Sequence, residues 1–293
     1  MEKSKLSAPE FIATYWTHAG KVVPLGAPQD EASPHDFRLR VEAAGRAGYR
    51  GFGLMHSDLM NIRQQYSFAD MKTMLDDNGL VHIEFEFVVG WLEDGANAVA
   101  GDQVMRDLLE AAAALDGRHI KIGPDMDGRH WPLPHMIERF SGLCERAKEV
   151  GTGIGIEIMP WSNIATVTDG VALVEGAGRA NGGLLIDIWH IARGNIPYAD
   201  VAAIPAGLIH HVELNDAREA IVGTLIEDTL DRRLHCGFGD FDVPRFIAAL
   251  DAQGYQGPVG IEIISAIERE RPFSEVLSDA ISSAKQQYVL SRA

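Results

Sequence analysis

Eight short apolar runs alternate with stretches of helical spacing along this chain, and that alternation constrains the fold more tightly than anything else in the sequence. The runs, rich in Val, Ile, Leu and Phe, lie at 11–17 (FIATYWT), 49–55 (YRGFGLM), 80–88 (LVHIEFEFV), 119–123 (HIKIG), 153–159 (GIGIEIM), 183–189 (GLLIDIW), 208–214 (LIHHVEL) and 258–264 (PVGIEII). Between two of them, 134–150 sets Met136, Ile137, Phe140, Leu143, Ala147 and Val150 on one helical face, with Gly151 placed to end the helix. Similar spacing fills 34–48, 67–78, 98–115, 167–178, 243–253 and 273–290, with a shorter and poorer helix at 196–206. Strands that alternate with helices imply a parallel sheet, and eight such units closing on themselves make the (β/α)8, or TIM, barrel, an α/β fold. A doubly wound open sheet is the competing architecture, but the first βα turn carries no G-x-G-x-x-G. The 293 residues match the roughly 250 at which one barrel closes, and no linker or low-complexity segment divides them, so a single domain over 1–293 is expected.

The strands do not end as purely apolar runs. In GLLIDIWHIARGN, residues 183–195, an aspartate interrupts the Leu and Ile, and a histidine follows three residues later. A barrel accounts for this, because its side chains alternate between helix layer and interior, and functional groups gather at the C-terminal strand ends. Ile186 and Ile188 are then expected to face the helices while Asp187 turns inward. Glu157 in GIGIEIMPW, Glu262 in GPVGIEIIS, and His211 with Glu213 in LIHHVELND occupy matching places. Four consecutive strands thus each deliver a carboxylate to one mouth. Buried like charges raise one another's pKa, and desolvation disfavours them all, a conflict that a divalent cation resolves. Oxygen ligands suit Mn²⁺ or Mg²⁺, and a histidine widens the choice towards Co²⁺ or Zn²⁺. A lone acid at a strand end is more often a helix cap or an ion-pair partner; repetition at equivalent positions is what favours the metal.

His82, Glu84 and Glu86 in VHIEFEF alternate in the same sense on the third strand, and Lys121 in HIKIG does so on the fourth. Two readings stand there: a polar network on the barrel floor, with Lys121 neutralising Glu84 or Glu86, or contact with substrate. His190, on the loop above Asp187, is placed to reach a bound polyol and donate a hydrogen bond. Trp16, Trp91 and Trp161, near the ends of strands one, three and five, are expected either to wall a sugar face or to pack between loops.

Composition excludes several classes. With 46% hydrophobic and 23% charged residues, the chain has no apolar stretch approaching the ~20 residues needed to span a bilayer, so no membrane role is expected. The opening MEKSKLSAPE lacks the apolar core of a secretory signal, and Cys144 and Cys236 make neither a metal-ligand pair nor a disulfide framework. A cytoplasmic protein with both thiols reduced is the expectation. Asp and Glu outnumber Lys and Arg by 42 to 26, and a net charge of −16 without a basic cluster repels nucleic acid.

IEIMP, LLIDIWHIARG, HHVELNDA and GIEII resemble the successive strand ends of the xylose isomerase-like sugar isomerase/epimerase superfamily, which includes tagatose/psicose 3-epimerases, hydroxypyruvate isomerases, inosose dehydratases and dehydroshikimate dehydratases. The likeness spans essentially the whole chain. It implies one divalent metal held by the fifth-strand Glu, sixth-strand Asp, a seventh-strand His or Gln and the eighth-strand Glu, which fall on Glu157, Asp187, Glu213 and Glu262. The family histidine three residues after the Asp falls on His190. Two departures stand out. Glu213 occupies a His or Gln position, which leaves His211, two residues earlier on the same face, as a competing ligand. LHCGFGDFDVPRFIAAL resembles the family's G-E-G-x-x-D lead into the seventh helix, but Phe238 replaces the glutamate.

Such a site suits removal of a C–H proton beside a carbonyl, with a cation, Mn²⁺ first, stabilising the charge that builds on oxygen. Glu157 and Glu262, on the first and last of the four strands, are the expected catalytic pair, with His190, His211, Lys121 and Trp161 as substrate contacts. Return of the proton to the opposite face gives epimerisation, and transfer to the next carbon gives isomerisation. The expected function is therefore a metal-dependent isomerase or epimerase of a sugar or keto-sugar. If a leaving group lies β to the carbonyl, the alternative is a lyase acting on a keto-sugar, a keto-inositol or a 3-keto-glycoside. Endonuclease IV shares the barrel but needs a trinuclear zinc site and a basic surface. A non-catalytic barrel subunit would be expected to lose carboxylates that this chain keeps. The expected partner is a small sugar or keto-sugar, with self-assembly, if any, as a dimer or tetramer.

Overall fold

The computed structural model describes residues 9–292. Its strands are β1 Phe11–Ala13, β2 Gly51–Met55, β3 His82–Val88, β4 Gly117–Ile122, β5 Gly153–Glu157, β6 Gly182–Asp187, β7 Ile209–Leu214 and β8 Val259–Ile261. They pair in sequence order, all parallel, and β1 closes on β8 through Phe11↔Val259 and Ala13↔Ile261. The expected (β/α)8 barrel is the fold. The connecting helices are α1 Phe37–Ala47, α2 Phe68–Asp77, α3 Gly95–Leu115, α4 Leu133–Glu149, α5 Val167–Ala177, α6 Tyr198–Ala202, α7 Val243–Gln253 and α8 Phe273–Leu290.

Local chemistry explains why these segments are helices. α2 and α5 start with capping boxes, Ser67 with Asp70 and Thr166 with Asp169, each satisfying backbone donors the helix cannot; such a cap stabilises by about 1 kcal/mol. α5 stops at Gly178, whose φ of 59° suits glycine. α4 buries Met136, Phe140, Leu143, Cys144 and Ala147 against the sheet. The strands supply the other side of that layer: Ile154, Ile156, Leu184, Ile186, Val212, Leu214, Val259 and Ile261 alternate into the core between sheet and helices. Burial of each such side chain contributes roughly 1.5–3 kcal/mol.

The opposite strand faces are unusual. A barrel interior is ordinarily filled by branched aliphatic residues, but here Glu84, His119, Lys121, His211 and Glu213 are buried inside. Glycines make the room: a Cβ at Gly53 would stand 3.0 Å from Glu84 Oε1, and one at Gly260 would stand 2.8 Å from His211 Nε2.

Several apolar runs outlast their strands. β1 gives way to a helix at Tyr15–His18 and β6 to one at Ile188–Arg193, while Leu225–Asp231 forms another in the connection after β7. At four to seven residues they are too short to carry a helical period. Among the described residues, no helix is long and apolar enough to cross a membrane.

Candidate active site

Asp187 closes β6 and opens the Ile188–Arg193 helix. Its Oδ1 accepts from Trp189 N at 2.8 Å, as a helix cap does, and from Asn215 Nδ2 at 2.9 Å. The cap turns the chain so that His190 sits over the neighbouring strand end, its Nε2 3.1 Å from Glu157 Oε1 and 3.8 Å from Asp187 Oδ2. Register places the others: Asp187 pairs with Glu213 between β6 and β7, and Glu213 with Gly260 beside Glu262. Glu157, Asp187, Glu213 and Glu262 are all buried.

Arg233 carries no signal in the sequence that marks it as part of the site. It lies in the connection after β7, is 2% exposed, and directs Nη1 to Asp187 Oδ2 at 2.5 Å and Glu262 Oε2 at 2.7 Å, while Nη2 donates to Thr229 Oγ1. Backbone pairing delivers it there. Arg233 N donates to Ile264 O at the end of the β8 connection, and Leu234 pairs with Asp216. Asp216 in turn accepts from the backbone N–H groups of Ala217, Gly237, Gly239 and Phe241, gathering the loop into one turn. Phe238, where the resemblance implies a glutamate, is 65% exposed.

Beneath the mouth, Lys121 is held by Glu84 Oε1 at 2.9 Å and by Glu213, with Glu86 and Glu262 at 3.7 and 3.8 Å. His211 Nε2 lies 3.1 Å from Glu84 and 3.4 Å from Glu213. Lys121 is thus placed in the floor network, where it neutralises Glu84 and Glu213. His82 joins neither group; it pairs with Glu10 at the outer end of β3.

A cavity of about 640 Å³, counting its open mouth, lies above. Of the expected substrate contacts, His190 and Trp161 line it, and Lys121 and His211 do not. Of the four expected ligands, Glu157 and Glu262 reach its wall, joined by Glu86, while Asp187 and Glu213 lie behind. Trp16, Phe87, Met126, Ile226 and Leu230 make much of the remaining lining. Trp91 packs against Phe140 and donates to Gly123 O, away from the cavity, so its role is packing.

Electrostatics show what the cluster lacks. Among the described residues, the permanent cations paired with Glu84, Glu86, Asp187, Glu213 and Glu262 are Lys121 and Arg233. Burial would strip Lys121 of its proton, but Glu213, Glu84, Glu86 and Glu262 hold its pKa well above the usual value. Burial also opposes charge on Glu213, yet Lys121 and His211 hold it down at about 2. The carboxylates left over go the other way: burial, with Glu84 and Glu213, pushes Glu86 up to about 7 against Lys121, and burial with Glu213 pushes Glu262 well above the carboxylate range against Arg233. The cluster has more carboxylates than its own cations can keep charged. One donor atom from each of Asp187, Glu213 and Glu262 lies within 4.8 Å of the others, and the same holds for Glu157, Asp187 and His190. Excess negative charge around converging oxygens fits a divalent cation.

The chain belongs to the xylose isomerase-like TIM barrel family, whose model it matches over residues 41–281. It is 30% identical over 254 residues to a 3-dehydroshikimate dehydratase of Pseudomonas aeruginosa, covering 83% of this chain and 38% of that one. An inosose isomerase of Halalkalibacterium halodurans is 26% identical over 155 residues, 52% of either chain. The chain therefore spans between about a third and a half of the length of these relatives. Among solved structures, IolI protein with a bound zinc atom superposes with a TM-score of 0.81 at 16% identity, over 96% of this chain and 99% of that one, a likeness of fold.

Proposed function

We propose that this chain moves a proton next to the carbonyl of a sugar or cyclic polyhydroxylated ketone, as an isomerase or epimerase that depends on a divalent cation at Glu157, Asp187, Glu213 and Glu262. The observation that carries this is the placement of Glu157 and Glu262: they reach the cavity from β5 and the end of β8, three strands apart on an eight-strand ring, while Asp187 and Glu213 stay behind them. A bound cation, Mn²⁺ before Mg²⁺, Co²⁺ or Zn²⁺, would supply stabilisation of the negative charge that builds on the carbonyl oxygen. Glu157 takes the C–H proton and Glu262 returns one from the other side. His190, 3.1 Å from Glu157, orients that carboxylate and offers a donor to a substrate hydroxyl. The buried Trp161 Nε1, without a hydrogen-bond partner in the described structure, offers another.

A second reading has its own support. A relative aligned over 83% of this chain is a dehydratase, and Trp16, Phe87, Met126, Ile226 and Leu230 give the cavity an apolar wall suited to the carbon face of a ring. Glu157 would again take the proton, and the β-hydroxyl, protonated by a neighbouring acid, would leave as water.

The test is exchange of the substrate C–H proton with D₂O across ketoses and keto-inositols, measured apart from product formation, with Mn²⁺ present. Glu157→Gln and Glu262→Gln are each expected to lower turnover by at least the ~10²–10⁴-fold contributed by general acid–base catalysis. A two-base epimerase loses exchange from one substrate epimer in each variant. A lyase or one-base isomerase loses it completely in only one, and the lyase releases an unsaturated product. Full exchange in both variants would overturn the assignment of either glutamate as base.

A further inference from the structure

We propose that the barrel floor holds a second cation, a structural Zn²⁺ bound by Glu84, His119 and His211. These residues come from β3, β4 and β7 and are 0%, 1% and 0% exposed. One donor atom from each lies within 4.8 Å of the others, a grouping separate from the two at the mouth. Glu84 divides its oxygens: Oε1 meets Lys121 at 2.9 Å, while Oε2 faces the imidazoles, 3.1 Å from His211 Nε2 and 3.6 Å from His119 Nε2. In a tetrahedral zinc site with bonds of 2.0–2.1 Å, ligand atoms stand about 3.3–3.4 Å apart. The two separations from Glu84 Oε2 already lie close to that spacing.

The hydrogen bonding points the same way. Both ring nitrogens of His119 and of His211, and the Oε2 of Glu84, are buried without an aligned hydrogen bond in the described structure, while Glu84 Oε1 is ion-paired with Lys121. A buried polar group without a partner costs about 1–3 kcal/mol, so a floor built only as a hydrogen-bonded network would be poorly made. Bonds to a cation satisfy the facing atoms together. The space is provided as well: Gly260 leaves open the position where a Cβ would come within 2.8 Å of His211 Nε2. Two imidazoles and one carboxylate suit zinc better than Mg²⁺ or Mn²⁺. Binding requires both imidazoles to be neutral, so any proton on His211 is released. With Glu84, His119 and His211 at most 1% exposed, the ion is taken up as the barrel forms.

The experiment measures metal content in tag-free protein purified without chelator. In Glu157→Gln/Asp187→Asn protein, in which two of the four mouth ligands are replaced, one zinc per chain is expected to remain. X-ray absorption at the zinc edge should then show two imidazoles. Adding His119→Asn should abolish that zinc and lower the melting temperature. A mouth variant without zinc, or zinc without imidazole ligands, overturns the proposal even if the triple variant fails to fold. The mouth assignment fails separately, if the double variant still binds a metal at oxygen ligands.

Discussion

Glu213 stands where the family resemblance implies a neutral His or Gln, and Lys121 is the physical answer to the charge it adds. Where a neutral His or Gln is usual, a carboxylate adds a buried negative charge beside Asp187 and Glu262; Lys121 sits against it and shares itself with Glu84. Breaking a buried ion pair from one side strands the other charge, at a cost of about 3–5 kcal/mol. Lys121→Met alone should therefore destabilise the fold by that order, and Glu213→Gln alone should lose part of it. The double variant should be less destabilised than the sum, because neither charge is then orphaned. Urea unfolding of the four proteins checks this; strict additivity would show that the pair is not coupled.

At the level of elements, the loop from β7 to α7 is as much a part of the site as any strand. Asp216 holds four backbone N–H groups and pairs with Leu234, next to Arg233. A Cβ at Gly239 would stand 2.2 Å from Asp216 Oδ1, so the turn admits glycine there. Asp216→Ala leaves buried donors unmatched, each at a cost of about 1–3 kcal/mol. The expected outcome is a lower melting temperature together with weaker substrate binding, because Arg233 loses its fixed approach to Asp187 and Glu262. Unchanged KM in a measurably destabilised variant would show that Arg233 is positioned by other contacts.

Over the whole molecule, charge sets the range of partners. A net −16 gives phosphate backbones nothing to exchange for their counterions. No binding to abasic duplex DNA is expected at physiological salt in a fluorescence anisotropy titration. A micromolar complex that weakens as salt rises would contradict this and would reopen the endonuclease-like reading.

The barrel was legible in the sequence, because strand and helix periods and the caps between them are local properties: each expected run overlaps a strand of the closed sheet. The sequence also placed Glu157, Asp187, Glu213 and Glu262 together, since their position at strand ends follows from a two-residue alternation that a parallel barrel repeats. Asp187 is both a helix cap and an ion-pair partner, the two ordinary roles of such an acid, and neither role removes it from the cluster. Which groups are paired followed from the folded chain alone. Arg233 belongs to no strand, and nothing in LDRRLHC separates it from the exposed Arg232 beside it; its burial comes from long-range backbone pairing. The floor of Glu84, His119, Lys121 and His211 was legible as alternation but not as partners, because distances across a barrel depend on stagger and on glycines in other strands. The short helices over the mouth were hidden for the same reason: they are held by contacts such as Arg193 with Asp228, not by a period of their own.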